Sequence, residues 1–214
     1  MLEMKVVVPI AISCFSLVVS AIALYFSQFT RAEIDVVAGE WINVYHFGEG
    51  NCGITLSISV ANRGAQLATV RRFGLLINAA NSKQGYLMEP IFYQKIDEKG
   101  DFLHDSQPVP VAIPGRSTET RQVLFRSSLE KPEEFQFTKA GTWQITVLAW
   151  IKDSVEPQGA AFFSLDVSDD DAETLKKRRN EKVTTTVRLR QSEWHKWGAH
   201  GLTEVEVAAL SLRR

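Results

Sequence analysis

Residues 6–26, VVVPIAISCFSLVVSAIALYF, carry no charged side chain. As a helix this run would be about 31 Å long at 1.5 Å per residue, which matches the hydrocarbon thickness of a bilayer. Pro9 falls in the first turn, where a missing N–H costs little. Tyr25 and Phe26 suit the interfacial belt, and Arg31 marks the return to water. Residues 1–30 therefore read as a membrane anchor, and whatever else the chain folds into must be built from the remainder.

Two rival readings of this run fit less well. Ala21-Ile22-Ala23 resembles a signal-peptidase site, but the apolar stretch continues past it and exceeds the usual secretory core, so an uncleaved anchor is favoured over a cleaved peptide. Lipoprotein processing at Cys14 would need a polar tether after the cysteine, and twelve more apolar residues follow it instead. Counting only basic residues, Lys5 and the free amine on one flank face Arg31 on the other. The positive-inside rule then puts the N-terminus in the cytoplasm and the rest of the chain outside.

That remainder has an ordinary folding composition, with 45% hydrophobic and 23% charged residues in a chain of 214. The net charge of −1 gives no global attraction to nucleic acid, which is not expected as a partner. Two cysteines, Cys14 and Cys52, exclude a disulfide framework. The absence of any Asn-x-Ser/Thr sequon counts mildly against a glycosylated ectodomain.

Residues 31–168 read as strands. Ile54, Leu56, Ile58 and Val60 alternate with Thr55, Ser57 and Ser59, the period-two pattern of a strand with one buried face. Asn62-Arg63-Gly64 ends it as a turn. Ahead of it, residues 41–47 alternate as its partner. Further strands are expected at 70–77, 90–96, 121–125, 141–150 and 162–167. Val109, Val111 and Ile113 alternate too, but Pro108, Pro110 and Pro114 limit them to an edge. Short strands with turn punctuation and no long helical pattern argue for an antiparallel sandwich, a mostly β fold.

The stretch 54–77, with its Asn62-x-Gly64 turn followed by Ala68 and Val70, resembles the early strands of bacterial immunoglobulin-like domains of the cell-adhesion-related (CARDB-like) type. Ile113-Pro114-Gly115-Arg116-Ser117 and Gly141-Thr142-Trp143-Gln144-Ile145-Thr146-Val147 resemble the later strands. The likeness covers residues 34–168 without the antibody Cys…Trp…Cys arrangement. It implies an immunoglobulin-like sandwich and, by analogy alone, a binding or spacer role.

Residues 169–214 form a charged tail. Ser168 is placed to cap a helix with acids at 169–171 in its first turn and bases at 176–179 in its last, in the order the helix dipole favours. Val183, Thr185, Val187 and Leu189 alternate as a further strand. Thr203 and Glu206 form a capping box ahead of Val205, Ala208, Ala209 and Leu212 on one helical face.

No catalytic, cofactor or metal site is expected. Gly48-Glu49-Gly50-Asn51-Cys52-Gly53 matches G-x-G-x-x-G, but a strand follows it and no acid stands 20 residues on, so it reads as a hairpin loop. Asp169, Asp171 and Glu173 have calcium-loop spacing but lack the glycine and the final glutamate, and helix capping explains them better. Among the histidines, His46, His104, His195 and His200, none has a zinc-site neighbour by spacing. The most suggestive local feature is the run of Lys176, Lys177, Arg178, Arg179, Lys182, Arg188, Arg190 and Lys196 against Glu181 and Glu193, with Trp194 and Trp197 beside it. Such a run contacts anionic lipid or an acidic partner, or simply solvates a surface. The sequence thus points first to a single-pass anchored β-sandwich that binds a protein or serves envelope assembly outside the cytoplasm. The alternative is a peripheral sensor or effector that contacts anionic lipid through the basic, Trp-containing tail.

Overall fold

The structure is a computed structural model, and it describes residues 2–46, 52–79, 85–98, 102–126, 137–151, 156–180 and 186–195. Helix α1 (Leu2–Gln28) leads through five residues into β1 (Ile34–His46). There follow β2 (Cys52–Asn62), β3 (Ala68–Val70), β4 (Arg72–Ala79), β5 (Gly85–Ile96) and β6 (Phe102–Ser106). The chain continues through β7 (Val111–Ile113), β8 (Ser117–Arg126), β9 (Gly141–Trp150), β10 (Gly159–Val167), α2 (Asp169–Asn180) and β11 (Thr186–His195).

All strand pairings are antiparallel. The order is β4-β9-β10-β11-β1-β2-β8-β5-β6, and β4 also pairs with β5. The sandwich expected from the sequence is present, with its two sheets joined along both sides into a barrel-like ring. Each join is one strand that changes partners midway. In β5, residues up to Met88 pair with β4 and residues from Glu89 pair with β8. In β11, Thr186 to Arg190 pair with β1, and Gln191 to His195 pair with β10. Of the strand expected from residue 183 onward, residues 183–185 lie outside the described residues, and from Thr186 it is β11, an integral member of the ring.

The core is where the alternation puts it. Ile54, Leu56, Ile58 and Val60 of β2 are buried while Ser57 and Ser59 are half-buried on the other face. There the Ser59 and Thr120 hydroxyls hydrogen-bond across strands at 2.8 Å. Facing β2 across the core are Trp143, Ile145, Val147 and Ala149 of β9 and Phe163 and Leu165 of β10. β9 is buried on both faces at its C-terminal half, because Leu148 and Trp150 pack with Leu76 and Leu87 on the opposite side. The Arg72 guanidinium lies 4.2 Å above the Trp150 ring.

Both ends of the ring are closed. The β3–β7 ribbon crosses the end from which α1 leaves, burying Val70, Val111 and Ile113 in the core. At the far end α2 joins β10 to β11 and inserts Ala172 and Leu175. Ser168 caps it as expected: its hydroxyl accepts from the Asp171 N–H at 3.1 Å and donates to the Asp171 carboxylate at 2.7 Å.

Candidate functional site

The junction between α1 and the β domain is densely hydrogen-bonded. Helix α1 has no buried residue over Val7–Gln28 and is long and apolar enough to cross a membrane. Only residues 29–33 separate it from β1. The Ala65 and Gln66 N–H groups both donate to the Thr30 carbonyl at 3.1 Å, and Ala65 N also meets the Thr30 hydroxyl at 3.0 Å. The Arg63 N–H donates to the Glu33 carbonyl at 2.8 Å. Arg116 reaches back, its Nη2 donating to the Phe26 carbonyl at 2.7 Å, which supplies a donor to the frayed end of α1.

Asn62, which is 2% exposed, ties these segments together. Its Oδ1 accepts from the Glu33 and Gly64 N–H groups at 3.3 and 3.1 Å. Its Nδ2 donates to the carbonyls of Gln66, Ile113 and Pro114 at 2.8, 3.2 and 3.2 Å. One buried amide thus satisfies backbone groups from three stretches of chain, which fixes their relative positions. Two glycines permit the approach. A Cβ on Gly64 would lie 1.8 Å from the Arg31 carbonyl oxygen, and one on Gly115 would lie 2.0 Å from that of Ala65.

The basic tail residues are elsewhere. β1 runs away from α1, β10 runs parallel to it, and Gly159 at the start of β10 packs on Ile34 and Val36. Both α2 and the start of β11, where Thr186 pairs with Tyr45, therefore lie at the far end. Eleven residue steps separate Ile34 from Tyr45, about 28 Å along the ring axis for strands tilted about 40°. Lys176, Lys177 and Arg178 are exposed at that end, with Arg179 half-buried. Arg188 and Arg190 take register positions opposite Asn43 and Trp41, and Trp194 opposite the buried Phe163. The structure thus divides the basic run between a helix and a paired strand. Lys182, Lys196, Trp197, His200 and the helix expected at 203–212 lie outside the described residues, as do Gly48 and Gly50.

Remaining candidates offer no reactive arrangement. Cys14 and Cys52 are both free thiols, and burial pushes the Cys52 thiol up to about 12, so it stays protonated and unreactive near neutral pH. Burial also raises the Tyr93 phenol, opposed by Arg121, and its hydroxyl donates to the Val109 carbonyl at 3.0 Å. The His104 ring lies tilted against Phe92, with centroids 4.3 Å apart. Among the described residues no three of His, Cys, Asp and Glu converge as metal ligands. Cys52 and Gly53 open β2 and pair with His46 and Tyr45, as a hairpin reading of the glycine motif requires.

No family profile and no curated protein matches the chain. An uncharacterized beta-sandwich protein from Clostridium difficile 630 is similar in structure, with a TM-score of 0.32 and 9% identity over 64% of this chain and 91% of that one. The fold accordingly stands on this chain's own strand order and register.

Proposed function

We propose that this chain is a single-pass, membrane-anchored β-sandwich module that binds a protein partner or serves envelope assembly from the extracytoplasmic side, without catalysis of its own. The observation that carries this reading is the junction. A domain meant to reach or scan would hang on a flexible linker. Here Thr30 and Glu33 are hydrogen-bonded to residues 62–66 and Arg116 to the last turn of α1, which holds the domain at one attitude directly above the end of α1. Such a mount suits a module that presents a fixed face to a neighbour in the same membrane. The face best suited to a neighbour is β6, which ends the strand order, with Leu103 and, on β5, Ile96 about half exposed. An extended segment of a partner would add to that edge as one more strand.

The test is a photo-crosslinking residue substituted at Leu103 in the full-length protein, irradiated in native membranes. A discrete crosslinked protein, lost when the probe is moved to exposed Thr118, supports the reading. Absence of any specific adduct from both positions contradicts it. The alternative of lipid contact through the basic tail gains nothing from the geometry. Its α2 portion lies about 28 Å from the α1 end, several times the Debye length of about 8 Å at physiological salt.

A further inference from the structure

Arginines do surround the end from which α1 leaves, but they come from scattered positions. Arg31 follows the last turn of α1, and Gly64 packs against its carbonyl. Arg63 is held by its N–H bond to Glu33 O, and Arg116 by its N–H bond to Gly64 O at 2.9 Å. All three are exposed. Arg63 is partnered by Asp35, and Glu33 is a further exposed acid nearby. Arg71 and Arg72, also exposed, add cations on the same end of the ring.

Arg116 is the residue that draws notice. It has φ of 57°, a left-handed conformation disfavoured for any side chain with a Cβ and commonly given to glycine. Its guanidinium has five N–H donors, of which the bond to Phe26 O occupies one. Three residues on from its partners Gly64 and Phe26, Leu67 is 63% exposed and Phe29 57% exposed. Arginine interleaved with exposed apolar and aromatic side chains, at the level where an apolar helix ends, matches the chemistry of the headgroup layer.

We propose that this collar binds anionic phospholipid headgroups, with Arg31 and Arg116 donating to the phosphate and Leu67 seated at the acyl boundary. The inference rests on α1 crossing the bilayer. Arg63, already paired with Asp35, contributes less.

The experiment uses the full-length protein in phosphatidylcholine vesicles with trace spin-labelled phosphatidylglycerol or phosphatidylcholine, reading the motionally restricted fraction of each. The wild type is expected to restrict phosphatidylglycerol in preference. Replacing Arg31→Gln and Arg116→Gln together should remove that preference, by roughly five-fold per arginine at the occupied position. Arg116→Lys should keep most of it, and Lys176→Gln with Lys177→Gln should leave it unchanged. Equal restriction of the two lipids by the wild type, or loss of preference only in the α2 variant, overturns the proposal. Extraction of the protein by alkaline carbonate from either vesicle is a different failure: it refutes the spanning helix, and the proposal falls with it.

Discussion

The two ends of the ring are closed differently. At the α1 end the β3–β7 ribbon buries Val70, Val111 and Ile113, and a buried asparagine and close backbone contacts further clamp it to the loops beside it and to the connection from α1. At the far end the closure is a capped helix resting on Ala172 and Leu175. Hydrogen-bonded backbone has one satisfactory geometry, whereas an apolar contact tolerates small shifts. Both ends keep water out of the core, and the α1 end is in addition built to hold an orientation.

The largest effect should come from Gly64→Ala. The added methyl cannot coexist with the Arg31 carbonyl, so the strand-to-helix connection must separate. We expect a loss of about 3 kcal/mol or more of stability in detergent, read by chemical denaturation. We also expect new protease cleavage in residues 63–67. Leu175→Ala should cost about 2–3 kcal/mol through the cavity it leaves, without exposing that loop. If the two variants open the same segment to protease, the ends are not independent and the comparison fails.

Much of the fold was legible in the sequence because period two survives wherever a strand has one wet face. The β2 residues from Ile54 to Val60 show this, and the Ser168 cap was equally plain. What escaped has identifiable causes. β1 begins at Ile34, well before residue 41, since the irregularity between Ala38 and Ile42 interrupts the pattern. β5 extends back to Gly85 across Pro90, which reads as a strand start but sits where the strand changes partners. β6, whose residues after Phe102 are all exposed, has no buried face to betray it. The candidate site was illegible for a related reason. The run at 176–179 was conspicuous because its charges are adjacent, but adjacency in sequence says nothing about which end of the ring they occupy. Arg31, Arg63 and Arg116 lie far apart in sequence and are brought together by the bonds of Asn62 and by backbone bonds across the junction.

The central claim is that the junction holds the domain upright on the bilayer, with one end at the headgroups and the other well above them. The most direct measurement is energy transfer from a dye to acceptor lipids, in vesicles carrying the full-length protein with Cys14→Ala and either Leu67→Cys or Lys176→Cys as the labelled site. The account predicts that position 67 lies within the headgroup layer and position 176 roughly 25–30 Å above it. Equal mean distances from the bilayer for the two positions would mean a domain that tumbles on its anchor, and would contradict the account.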